Sequence, residues 1–297
     1  MKATPNLRVA AALFCLILLL TLGCKKKDAP APPDRPRLTA NVVMQDVTFR
    51  SAALNRDMQY RVVFPKTISP GKRLPVVYLL HGGGSSFRAW SNDSDVARFA
   101  ESGLILVMPE GNSSYYTNSA SQPQDRYEDY IVSDLISDVE RRFPVAATRT
   151  SRAVIGVSMG GFGAINLALK HPDLFAFAGA LSPAVDVPSR PFSAKRIEQW
   201  QRFGSIFGPW GSKTRHDNDP FILAALADQA KTPYLFLTCG EQEGLLPTNR
   251  KFAALLAQRH FRHEFHTAPG GHNFNQWNAG LPALFQSLFQ HISQQPT

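Results

Sequence analysis

The chain has 297 residues, of which 44% are hydrophobic and 19% charged, and carries a formal net charge of +9. That apolar share supports a large packed core and excludes a disordered chain, and the length fits one large α/β domain with short extensions. Three cysteines exclude a disulfide scaffold, and the Lys and Arg residues are scattered without a nucleic-acid-binding motif, so the basic balance reads as solvated surface with no nucleic acid partner.

In chain order, Lys2 and Arg8 precede an apolar run over residues 9–22. The run is too short for a comfortable membrane span and lies where the apolar region of a secretory signal would. It ends Thr21-Leu22-Gly23-Cys24, which resembles a bacterial lipobox, although such boxes usually carry leucine where Thr21 stands. The expectation is a lipoprotein signal over residues 1–23, lipidation of Cys24, a disordered Pro- and Ala-rich tether over residues 24–37, and a catalytic domain over 38–297. An uncleaved signal anchor is the alternative, and either arrangement exports the domain to the bacterial cell envelope and tethers it to a membrane. Lys25, Lys26 and Lys27 would then face anionic headgroups. Lys25 in place of an aspartate favours the outer membrane. With Cys15 in the signal and Cys24 lipidated, Cys239 stands alone, so no intrachain disulfide or cysteine metal site is available.

Within the domain, residues 42–50 and 59–64 read as an opening antiparallel pair, and 75–80 and 104–108 as buried central strands. Residues 127–143 show helical periodicity, with acids early and Arg141-Arg142 at the end. Further strands are expected at 152–157, 176–181, 233–238 and 262–267, and helices at 159–169, 250–259 and 281–292. Strands alternating with helices imply a mostly parallel sheet with helices on both faces, whose site lies beyond the carboxyl ends of the strands.

The chemistry gathers at those ends. Gly156-Val157-Ser158-Met159-Gly160 is a G-x-S-x-G pattern between an apolar strand and a helix. There a serine sits on a strained turn, and the flanking glycines let strand and helix approach closely. His81-Gly82-Gly83-Gly84 follows the 75–80 strand. Its backbone N–H groups can reach a substrate oxygen, so Gly83 is the candidate first oxyanion donor and Met159, after the serine, the second. A serine nucleophile needs a base. His272, in the turn-rich Ala268-Pro269-Gly270-Gly271-His272-Asn273 after the last strand, is placed for it, whereas His260, His263 and His266 fall in a helix end or a strand. The base needs a carboxylate. Cys239-Gly240-Glu241-Gln242-Glu243-Gly244 follows the 233–238 strand and offers Glu243, with Glu241 as runner-up, while Asp217 and Asp219 read as a loop cap. Ser158, then acid, then His272 is the chain order of α/β-hydrolases.

On these residues the chain resembles the esterase D-like group of α/β-hydrolases, which includes feruloyl and acetyl-xylan esterases, S-formylglutathione hydrolases, enterobactin esterases and mycolyltransferases. The resemblance runs from about residue 41 to 289. It is carried by LPVVYLLHGGG (74–84), MPEGNSSYYTN (108–118), YEDYIVSDLISDVERRFP (127–144), GVSMGGFGA (156–164), CGEQEGL (239–245) and PGGHNFNQW (269–277). It implies an α/β-hydrolase fold, catalytic Ser158, Glu243 and His272, an oxyanion hole from Gly83 and Met159, and no metal or organic cofactor. The family usually has aspartate where Glu243 stands, so the longer glutamate must be set back or tilted to meet His272.

The expected function is an exported, lipid-anchored serine carboxylesterase acting on small-molecule or polysaccharide-linked esters. Two alternatives are an acyltransferase that uses the same residues with a sugar or lipid acceptor, and a binding protein on a retired hydrolase fold. Residues 190–232 interrupt the strand alternation with Trp200, Phe203, Phe207 and Trp210, either capping the site or packing the insertion. Tyr115, Tyr116 and Trp90 are candidates for the pocket or the core.

Overall fold

Five consecutive apolar residues can only form a strand in the middle of a sheet if both faces are covered, because alternate side chains point to opposite sides. Val76–Leu80 and Ile105–Pro109 are such runs. In the computed structural model, which describes residues 33–191 and 193–293, Val76, Tyr78, Leu80, Ile105 and Val107 enter one apolar cluster, while Val77, Leu79, Leu106 and Met108 enter another. All nine are fully buried.

The strands are β1 (Val42–Ser51), β2 (Arg56–Pro65), β3 (Val76–Leu80), β4 (Ile105–Pro109), β5 (Arg152–Val157), β6 (Phe177–Leu181), β7 (Tyr234–Gly240) and β8 (His263–Ala268). They form one sheet in the order β1-β2-β4-β3-β5-β6-β7-β8. β1 pairs β2 antiparallel and β2 pairs β4 antiparallel, while β4-β3-β5-β6-β7-β8 run parallel. The longer helices are α1 (Ile136–Arg142), α2 (Met159–Lys170), α3 (Ile197–Phe207), α4 (Leu246–Gln258) and α5 (Phe274–His291). Side chains of α1, α2 and α4 fill the first cluster; Leu281, Leu284, Phe285 and Leu288 of α5 fill the second with Trp90, Val96, Ala97 and Ala100. Helices therefore cover both faces, as the alternation implies.

The expected strands all form, each within a few residues of its expected bounds. Two helical stretches differ. Residues 127–143 are not one α-helix: Tyr127–Asp129 leads into a π-helical turn, Tyr130–Leu135, before α1. The wider turn accompanies the full burial of Tyr130, Ile131 and Leu135. The last helix begins at Phe274 rather than near residue 281 and carries Pro282 inside it. Asn273 starts it, its side chain accepting from the Asn275 and Gln276 amides. The described residues from Arg35 onward form one compact unit, and Arg37 already donates its amide to Ser91 O at 2.7 Å. Residues 1–32, with the expected signal and Cys24, lie outside the described residues. Among the described residues no helix is long and apolar enough to cross a membrane.

Candidate active site

Parallel strands put all their carboxyl ends on one edge, and the site is built from the segments that leave five of them. After β5 the chain turns at Ser158 with φ +55° and ψ −111°, a left-handed conformation that a non-glycine residue holds only when the surroundings enforce it. Here they do. The Ser158 amide donates to Leu181 O, and its carbonyl accepts from the Phe162 and Ala184 amides. A Cβ on Gly156 would stand 2.2 Å from the Gly160 carbonyl, and one on Gly160 would stand 2.2 Å from Leu80 O, so β5, α2 and β3 meet backbone to backbone.

The hydroxyl produced by this turn lies 2.8 Å from His272 Nε2, and His272 Nδ1 lies 2.6 Å from Glu243 Oε2. Glu243 sits just after β7, with its side chain 1% exposed; His272 follows β8 and is 38% exposed. Burial pushes the Glu243 carboxyl up, but hydrogen bonds from His272, the Ser182 hydroxyl and the Gly240 amide outweigh it and hold it below the usual carboxylate range. An ionised carboxylate only accepts, so His272 Nδ1 carries the proton and Nε2 presents a lone pair to Ser158. The longer glutamate is accommodated by division of its oxygens. Oε1 is tied by Ser182 Oγ at 2.6 Å and Gly240 N at 2.8 Å, leaving Oε2 for His272. Glu241 takes no part in this, accepting from Thr267 Oγ1 at 3.3 Å.

Ser182, after β6, belongs to the site although no sequence pattern singles it out. Its hydroxyl also accepts from Trp277 Nε1 at 2.9 Å, and the Trp277 ring packs edge-on against His272 with centroids 5.1 Å apart. Its one signal in the sequence is its place directly after a parallel strand.

Past β3, the His81 ring is fully buried with Nδ1 2.8 Å from Gly82 O and Nε2 2.9 Å from the Gly111 amide. A carbonyl only accepts, so Nδ1–H donates to it. Gly82 C=O and Gly83 N–H belong to one trans peptide and point opposite ways. Holding the carbonyl on His81 therefore fixes the direction of the Gly83 amide. Gly83 lies beside Met159: a Cβ on Gly83 would stand 3.9 Å from Met159 Cβ. Neither the Gly83 nor the Met159 amide has an intramolecular acceptor among the described residues.

A cavity of about 510 Å³ opens over Ser158 and His272 and is lined by Tyr115 among others. Tyr116 and Trp90 are core instead: Tyr116 donates to His81 O, and Trp90 Nε1 donates to Leu80 O. The insertion aromatics divide. Phe203 and Phe207 are buried with Phe162 and Tyr115, whereas Trp210 is 59% exposed. Asp219 caps a short helix through the Phe221 amide, as a loop cap should. Burial pushes the Cys239 thiol up to about 12, which leaves it inert. Among the described residues no group of three or more His, Cys, Asp or Glu is placed to hold a metal ion.

Glu128 behaves like Glu243. Burial raises it, but hydrogen bonds from His171 and Lys170 bring it below the usual range. A folded value below the unfolded one gives stability that is present above the unfolded value, about 4.3 for glutamate, and is lost as pH falls through the folded value. The urea midpoint is expected to fall as pH drops below about 4, and to fall less steeply in Glu128→Gln.

The profile of a protein family described as "Putative esterase" matches residues 51–288. Esterase Rv1288 of Mycobacterium tuberculosis is 28% identical over 253 residues, covering 76% of this chain and 55% of that protein. The chain thus spans about half the length of that relative. The acetyl esterase of Caldicellulosiruptor saccharolyticus is 22% identical over 261 residues, 82% of this chain and 97% of that one. Among solved structures, the fluorophosphonate-binding serine hydrolase FphF of Staphylococcus aureus superposes with a TM-score of 0.72 at 25% identity, over 86% of this chain and 100% of that one. The fold is that of the α/β-hydrolases.

Proposed function

The chain belongs to this esterase family, and from that premise we propose that it hydrolyses carboxylic esters through an acyl-enzyme on Ser158. Ser158 Oγ attacks the ester carbonyl carbon while His272 Nε2 takes its proton. The tetrahedral oxyanion is received by the Gly83 and Met159 amides. Collapse breaks the bond to the leaving alcohol, which takes the proton from His272. Water then repeats the sequence, its proton passing to His272 and back to Ser158 as the acid departs. Glu243 holds the ring and offsets the imidazolium charge. No step calls for a metal or organic cofactor.

The observation that carries this is the unbroken chain from Ser158 Oγ through both His272 nitrogens to a buried carboxylate, facing an open cavity. The test is turnover of p-nitrophenyl acetate by the full chain. Expected are a stoichiometric burst of p-nitrophenol, an acetyl group on the peptide containing Ser158, and free acetate rather than an ester of added sugar as product. No turnover by the folded protein, or acetyl on another residue, overturns the proposal.

Glu243 and Glu241 separate cleanly. Glu243→Gln keeps the shape but loses the fixed tautomer, so kcat is expected to fall by about 10⁴. Glu241→Gln is expected to change it by less than about twofold, since an exposed carboxylate with one weak contact contributes little. Parallel kcat measurements check both.

The proposal extends to location. The apolar run over residues 9–22 and the Leu22-Gly23-Cys24 stretch support export and lipidation at Cys24 in the bacterial envelope, with Lys25 favouring the outer membrane. A palmitate analogue fed to expressing cells is expected to label the wild type and not Cys24→Ala.

A further inference from the structure

A cavity for small neutral esters needs little charge on its walls, yet the one over Ser158 is bordered by Asp186, Arg190, Arg196 and Gln199. Two of these cancel. Arg190 grips Asp186 with a fork, Nη2 to Oδ1 at 2.5 Å and Nε to Oδ2 at 3.2 Å, and its guanidinium lies 5.8 Å over the Phe203 ring. Arg196 is different. It ends a 3₁₀ turn, Ala194–Arg196, directly before α3, is exposed, and its side chain has no hydrogen-bond or ion-pair partner among the described residues.

A second cavity of about 320 Å³ shares Arg190, Arg196 and Gln199 with the first and adds Lys195, Trp200 and Phe203. Lys195 is also exposed and unpaired among the described residues. Of the acids, Asp186 is matched by Arg190 and Glu243 by His272, while Glu198, the acid next in sequence, borders neither cavity. Two positive charges are thus left uncompensated at the approach to the nucleophile, beside an aromatic floor.

We infer that the ester this site takes carries a carboxylate on a part of the molecule away from the scissile bond, and that Arg196, with Lys195 alongside, receives it. This deepens the esterase reading and rests on it. A guanidinium fork matches a carboxylate with two parallel hydrogen bonds, and an uncompensated cation at a cavity mouth steers anions inward. Holding the far end places the scissile carbonyl against Ser158, while Phe203 and Trp200 take the carbon skeleton.

The test uses matched substrates: p-nitrophenyl hydrogen suberate against its methyl ester, with the carboxylate on the acyl side, and 3-acetoxybenzoate against methyl 3-acetoxybenzoate, with it on the alcohol side. In at least one pair the anion is expected to show kcat/KM about fivefold higher at low ionic strength, an advantage that shrinks in 0.5 M salt. In Arg196→Gln the ratio of anion to neutral ester is expected to fall towards one, and in Arg196→Lys to recover in part. The inference is overturned if the neutral ester is used equally well or better in both pairs, or if the preference survives Arg196→Gln. Failure of the esterase reading looks different, since then the neutral esters are not turned over either.

Discussion

Replacing Ser158 by alanine is expected to lower kcat for a p-nitrophenyl ester by about 10⁶, His272→Ala by nearly as much, and the double variant no further. In the proposed mechanism Ser158, His272 and Glu243 act as one device. Ser158 Oγ is a poor nucleophile until His272 Nε2, 2.8 Å away, takes its proton, and His272 has nothing to serve once the hydroxyl is gone. The residual activity should still exceed the uncatalysed rate by about 10³, because the Gly83 and Met159 amides receive the oxyanion whoever attacks. Initial rates on the three variants, with circular dichroism to show each is folded, check the expectation. Additive losses would mean that serine and histidine work separately.

The largest effect on folding is expected at Gly160. A Cβ there meets Leu80 O at 2.2 Å, Leu80 C at 2.6 Å and His81 O at 2.7 Å, all main-chain atoms of a central strand and the loop beyond it. No rotamer relieves a clash with backbone, so β3 must part from α2. Gly160→Ala is expected to cost more than about 4 kcal/mol, a large share of the ~5–15 kcal/mol that holds a domain together. It would appear as a Tm lowered by about 10 °C or more, or as insoluble protein. Gly204 in α3 provides the contrast. A Cβ there meets nothing within 4 Å, and Gly204→Ala is expected to stabilise by about 0.5–1 kcal/mol. Thermal unfolding of the two variants decides between contact and propensity as the cause.

The candidate catalytic residues are legible in the sequence because each lies just past a strand. Ser158 with its glycines, Glu243 and His272 all do so, and a parallel sheet gathers strand ends whatever the loops between them. The rest of the site depends on contacts across the chain. Ser182 is 61 residues from Glu243, and only the pairing of β6 with β7 brings its hydroxyl to the carboxylate. The hold of His81 on the next peptide is a matter of ring orientation, which composition does not encode. The start of α5 is hidden because the helix contains a proline, Pro282, while the Asn273 cap stands close to a glycine pair that reads as loop. The π-turn over Tyr130–Leu135 adds one residue to a turn without breaking the apolar pattern, so periodicity alone passes over it. In the sequence Arg196 and Lys195 read as scattered surface charge; the fold sets Arg196 on the border of the cavity over Ser158 and Lys195 on the adjoining one.

The aromatic cluster under α3 governs how substrate arrives. Phe203 and Phe207 share one cluster with Phe162 in the first turn of α2, and the Ala120 amide bonds to Ile206 O at 2.8 Å, so the insertion is riveted both to the helix that follows Ser158 and to the loop beside it. Swinging it outward would expose at least two phenylalanines at about 1.5–3 kcal/mol each, besides the main-chain bonds. A lipase lid that opens at an oil surface shows a jump in rate when its substrate forms droplets. If the proposed esterase activity holds, this protein is expected to show none: its velocity should follow the concentration of dissolved ester smoothly through the solubility limit and then level off, without a lag.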